Sequence, residues 1–142
     1  TVGVDVKVCD MTLPEGHTQL VIFDVGGQED FDKVRLNYCK SAHYVVFVYD
    51  VTRPETLKRI ADLYRQVSER CFIPRGEYIR GIVVANKIDA VESHSKMIER
   101  GRELARLLSL EFMATSAKTG EGVGETFLCA ASEASRVLYC AG

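Results

Sequence analysis

Two short stretches, Tyr44-Val45-Val46-Phe47-Val48-Tyr49 and Ile82-Val83-Val84-Ala85, are apolar at every position. A strand wetted on one side alternates. A strand apolar throughout is covered on both faces, the habit of parallel sheets sandwiched between helices. Helix-period segments separate the two runs, as parallel crossovers require. Leu57, Ile60, Ala61, Tyr64 and Val67 form one helical stripe, and Thr52-Arg53-Pro54-Glu55 before it reads as a capping box with Pro in the first turn. Met97, Ile98, Leu104, Ala105, Leu107 and Leu108 mark a second helix, residues 127–138 a third, and residues 110–114 a weaker strand between them. Nearer the start, Val4-Asp5-Val6-Lys7-Val8 alternates apolar and polar. Leu13-Pro14-Glu15-Gly16 then supplies a turn and Leu20-Val21-Ile22-Phe23 a second strand, which together predict an antiparallel hairpin. Strands interleaved with helices predict one open α/β sheet, mostly parallel, with right-handed crossovers.

Composition narrows what such a sheet can serve. A chain of 142 residues suits one domain. With 18 Lys+Arg against 20 Asp+Glu it has no basic footprint for nucleic acid. Its longest apolar run is six residues, far below a transmembrane span. Cys9, Cys39, Cys71, Cys129 and Cys140 lack the spacing of a zinc site or a disulfide framework, and read as buried thiols of a reducing compartment. His17, His43 and His94 do not cluster with a ligand set.

Ligands of open α/β sheets bind beyond the carboxyl ends of the strands, so the polar residues directly after each apolar run are the candidates. After residues 20–23 comes Asp24-Val25-Gly26-Gly27-Gln28-Glu29; after 82–85, Asn86-Lys87-Ile88-Asp89; after 112–114, Thr115-Ser116-Ala117-Lys118. In this order the three resemble the nucleotide-contacting motifs of Ras-superfamily small GTPases. Thr1-Val2-Gly3-Val4-Asp5, Gln28-Glu29-Asp30-Phe31 with Tyr38, and Val48-Tyr49-Asp50-Val51-Thr52 resemble the Rab branch in particular. Val25-Gly26 departs from that branch toward an Arf-like double glycine.

The resemblance implies a P-loop NTPase-type three-layer sandwich that binds GTP or GDP with Mg²⁺ and hydrolyses GTP as a switch in vesicle and membrane trafficking. Asp89 would accept both donors of guanine's edge, the ring N–H and the amino group, a pairing that adenine cannot make. Asn86 would tie the nucleotide loops together, and the Lys87 stem would lie along the base and sugar. Ser116 would brace Asp89, the Ala117 amide would meet the guanine carbonyl, and Lys118 would flank the base. Asp24 and Thr1 would hold Mg²⁺, which needs few protein carboxylates. Gly27 would approach the terminal phosphate and Gln28 would orient the attacking water, as in the Ras and Gα systems that serve as the standard examples of this chemistry.

Implied partners are an exchange factor, a GTPase-activating protein and effectors, which would meet the switch surface around Phe31, Leu36 and Tyr38. No nucleic acid or transmembrane segment is implied, and membrane association would be peripheral, through a prenylated tail where one exists. The implied location is cytoplasmic, extending to the cytosolic face of an endomembrane. Nothing in the sequence matches G-x-x-x-x-G-K-[ST], the loop that cradles the phosphates. The expectation is therefore a G domain over residues 1–142 whose first strand, phosphate loop and first helix are missing. That strand would lie mid-sheet, between the hairpin and residues 44–49. The alternative is a catalytically inactive GTPase-like scaffold or fragment that binds protein partners without turnover.

Overall fold

The computed structural model describes residues 3–26, 37–70 and 79–140. Two strands, β1 (Val4–Leu13) and β2 (Gly16–Val25), form the antiparallel hairpin, with Leu13 opposite Gly16 and Val4 opposite Val25. Pro14 and Glu15 make the turn, so both strands are longer than their apolar residues alone indicate. Gly16 has φ +139°, a backbone state that only glycine adopts readily. Three further strands, β3 (Val45–Asp50), β4 (Gly81–Asn86) and β5 (Glu111–Ala114), form a separate parallel sheet in the order β3-β4-β5.

Helix α1 (Pro54–Arg70) packs on β3, and α2 (Lys96–Leu107) packs on β4 and β5. These helices cover the sheet face that presents Phe47, Tyr49, Val83 and Ala85, and Ile60, Val67, Ile98 and Ala105 close the core there. Helix α3 (Val123–Cys140) packs on β4 and also touches β1 and β2, so it leans on both sheets. Ile82 and Val84 are buried along with Val83 and Ala85, so the central strand is covered on both faces, as its unbroken apolar run predicts.

β3 is different. Phe47 and Tyr49 are buried, but Val46 is 37% and Val48 55% exposed. Two-sided coverage of this strand is therefore not observed among the described residues. β3 is the edge of its sheet, and α3 lies across β4 rather than across the outer face of β3. Val6, Val8, Val21 and Phe23 of the hairpin are exposed as well.

Three local expectations are also corrected. Thr52 does not cap α1: its N–H and hydroxyl both donate to Asp50 Oδ1, at 2.8 and 2.6 Å, and Glu55 pairs with Arg53 instead. The first turn is closed by Thr56, whose N–H and hydroxyl both donate to the Arg53 carbonyl, at 3.0 and 2.6 Å. On the inner face of α1, Leu63 is half-buried and Ala61 is exposed. Of the thiols expected to be buried, Cys9 is exposed, whereas Cys39 and Cys129 are half-buried.

One contact fixes α2 against the sheet. The Tyr49 ring, 1% exposed, lies over Gly101, and its hydroxyl donates to the Met97 carbonyl at 2.6 Å. Burial pushes the Tyr49 phenol up to about 12, so it remains a donor at any ordinary pH. A side chain at position 101 would overlap this ring, which explains a glycine in the middle of a helix despite its low propensity there.

Candidate functional site

Two loops meet at the carboxyl ends of β4 and β5. The first leaves β4 at Asn86 and runs through Lys87 into a 3-10 turn, Ile88–Ala90. Lys87 has φ +69° and ψ +34°, a left-handed conformation unusual for a lysine. This reversal sends the chain back, so that the Ile88 N–H donates to the Thr115 carbonyl at 3.1 Å. The second loop leaves β5 at Ala114 and reaches α3 through Gly120 and Gly122, both with positive φ. At Gly122 a Cβ would run into the Ala114 carbonyl, so the tight return from β5 to α3 requires glycine.

The side chains of the two loops interlock. The Ser116 hydroxyl, wholly buried, donates to Asp89 Oδ1 at 2.6 Å and accepts from the Thr119 N–H at 3.1 Å. Asn86 Oδ1 accepts from the Thr115 hydroxyl at 3.1 Å and from the Ala117 N–H at 3.0 Å. Asp89 itself is exposed, so a buried donor fixes one carboxylate oxygen while the group as a whole faces outward. This is a short, charge-assisted bond to an acceptor that remains available to a ligand. Lys87 is exposed too, and its ammonium pairs with Asp50 Oδ2 at 2.8 Å. Lys118 is exposed on the second loop.

The structure thus brings Asn86, Asp89, Ser116 and Ala117 into one hydrogen-bonded unit, flanked by Lys87 and Lys118. The Ala117 N–H is engaged by Asn86, so a base carbonyl approaching it would have to share that donor. Asp24 is exposed near the end of β2, opposite Asp5, and belongs to the other sheet. Its exposed carboxylate is a hard oxygen donor of the kind magnesium takes, and among the described residues no group of three or more His, Cys, Asp or Glu could hold a metal. Thr1, Gly27 and Gln28, and with them Phe31 and Leu36 of the expected switch surface, lie outside the described residues. Tyr38 is described, and its ring meets that of Phe23 at 5.0 Å between centroids. Asp50, which the sequence shows only as part of a Rab-like strand end, joins the site through Lys87.

Comparison with known proteins agrees with this geometry. The Ras family model matches residues 1–136. The chain is 32% identical over 138 residues to the Ras-related protein RABD1 of Arabidopsis thaliana, covering 97% of this chain and 65% of that protein. It is 34% identical to the Ras-related protein Rab-18 of Caenorhabditis briggsae, over 89% of this chain and 61% of that protein. To the GTP-binding protein ypt2 of Schizosaccharomyces pombe it is 29% identical, over 94% of this chain and 64% of that protein. The chain thus spans somewhat less than two thirds of each of these relatives. No helix among the described residues is long and apolar enough to cross a membrane. With the interlocked loops at its strand ends and Rab-related proteins for relatives, this chain belongs to the Ras family of small GTPases.

Proposed function

We propose that the natural protein binds GTP and GDP through these strand-end loops and hydrolyses GTP as a Rab-like switch in intracellular membrane trafficking. The observation that carries the reading is the Ser116–Asp89 bond, a buried hydroxyl holding an outward-facing carboxylate at 2.6 Å. Guanine offers two adjacent donors, and one carboxylate can accept both. Adenine would leave Asp89 desolvated and unpaired, a mismatch that rejects the wrong base by about 10⁴–10⁵. Asn86 locks the two loops around the base, the Lys87 stem lies along it, Lys118 flanks it, and the Ala117 amide reaches its carbonyl oxygen.

At the phosphate end, Gly27 brings its amide to the terminal phosphate and Gln28 orients the attacking water. Asp24 and Thr1 would hold Mg²⁺, which neutralises charge on the phosphates. The edge position of β3 supports a further parallel strand beside it, and the exposed faces of β3 and the hairpin support a helix laid over them, with the phosphate loop between that strand and that helix. The Phe23–Tyr38 pair supports a switch surface read by an exchange factor, a GTPase-activating protein and effectors, on the cytosolic face of an endomembrane.

The test is Asp89→Asn in the full-length natural product, with GTP and XTP affinities measured side by side. The substitution turns an acceptor into a donor, so preference should swing to xanthine, whose second position carries an oxygen. An unchanged preference for guanine refutes the role of Asp89. Equal binding of GTP and ATP by the wild-type protein refutes the guanine reading altogether.

A further inference from the structure

We propose that Asp50 is a positioning residue of the base site, holding the Lys87 stem where it packs against a bound purine and so setting nucleotide affinity without choosing between purines. The inference rests on the guanine-nucleotide reading above and adds to it a residue that makes no contact with the ligand.

Asp50 is the last residue of β3 and pairs in register with Asn86, the last residue of β4. The Val51 N–H donates to the Asn86 carbonyl at 3.1 Å, so the two strand ends leave the sheet together. Both carboxylate oxygens of Asp50 are engaged. Oδ1 takes the Thr52 N–H and hydroxyl at 2.8 and 2.6 Å, and Oδ2 takes the Lys87 ammonium at 2.8 Å. The backbone is pinned as well: the Asp50 N–H donates to the Thr56 hydroxyl at 3.0 Å, in the first turn of α1. The acceptor is therefore fixed before the lysine arrives.

The exposures are unequal in a telling way, 14% for the Asp50 side chain and 58% for that of Lys87. An ordinary surface ion pair joins two mobile ends and contributes little. Here one end is rigid, and the other is a flexible four-carbon stem on a left-handed backbone. Tethering the ammonium removes rotamer freedom from the stem, and a ligand that packs on that stem then loses less entropy on binding. Burial pushes the Asp50 carboxyl up, but hydrogen bonds from Lys87 and Thr52 outweigh it and hold the group at about 2, so the tether is ionised throughout the neutral range.

The experiment compares GDP and IDP dissociation constants for the full-length natural product and for Asp50→Asn, each also in a Lys87→Met background. IDP lacks the exocyclic amino group that Asp89 would read. Loss of the tether should weaken GDP and IDP alike by about tenfold, within the range of couplings between contacting residues, and should change affinity less than twofold once Lys87 is gone. Thr52→Val, which removes one brace from an exposed position, should show a smaller loss with the same dependence on Lys87. It decides the matter if Asp50→Asn does not fold.

A loss below twofold in the parent, an equal loss in the Lys87→Met background, or a loss confined to GDP overturns the proposal. The last outcome would mean that Asp50 acts through the Asp89 loop. Wild-type protein that binds neither nucleotide overturns the guanine-nucleotide reading and this inference with it. Normal wild-type binding with indifferent variants overturns this inference alone.

Discussion

Gly101→Ala in α2 should destabilise the protein even though alanine is the better helix former. Propensity alone favours the change by about 1 kcal/mol. Against it stands Tyr49: an added Cβ would lie 2.6 Å from Cζ and 2.7 Å from Cε1 of the ring, and still nearer the hydroxyl oxygen. The ring cannot swing aside, because Tyr49 is packed in the core with Phe47, Val83 and Ile98 and tied to the Met97 carbonyl. Overpacking of this kind costs about 1–3 kcal/mol, and pulling the buried Tyr49 hydroxyl off the Met97 carbonyl adds about 1–3 kcal/mol. Set against the propensity gain of about 1 kcal/mol, the net loss is about 1–5 kcal/mol. In a domain of this size that lowers the melting temperature by about 3–17 °C.

Urea denaturation read by circular dichroism, with a thermal scan beside it, measures both quantities. Adding Tyr49→Phe to Gly101→Ala removes the closest atom and should restore about 1 kcal/mol, leaving the ring-carbon overlap. A neutral or stabilised Gly101→Ala variant refutes this reasoning, since it would mean that α2 can retreat from the sheet at no cost.

Two further outcomes follow from the polar contacts. Ser116→Ala deletes the buried donor to Asp89, a charge-assisted bond worth about 1.5–3 kcal/mol, so GDP affinity of the full-length protein should fall by about 10- to 100-fold. Equal affinity in a fluorescent-nucleotide titration would show that Asp89 needs no brace. Asp50, held at about 2 against an ordinary 3.8, favours the folded state fully above pH 3.8 and loses that contribution as pH drops toward 2. With Lys87 well exposed, screening limits the effect to about 1 kcal/mol. The stability gap between wild type and Asp50→Asn, measured in urea at pH 6 and pH 2.5, should shrink by about that amount. A gap independent of pH would mean that the carboxylate charge is irrelevant.

The half of the site at the ends of β4 and β5 was legible because strand ends are legible. Two apolar runs and a weaker strand stop at polar residues, and chain order puts those residues at one sheet edge; Asn86, Asp89, Ser116 and Ala117 did come together there. Asp50 closes such a run too, but its meaning depends on the β3–β4 register and on the left-handed Lys87, both tertiary facts. The capping-box reading of Thr52 failed for the same reason. A hydroxyl two residues from a fixed carboxylate turns toward it to donate, and so does not present its oxygen to the N–H groups of the helix start. Val46 and Val48 show the limit of pattern reading: an unbroken apolar run reports what a strand can bury, not what lies over it.

Helix α3 begins at Val123, directly after the loop that carries Ser116 and Ala117, and along its length touches both sheets. A stiff rod so placed ties the two sheets to one another, so that displacing the hairpin would strain the loop that interlocks with Asp89.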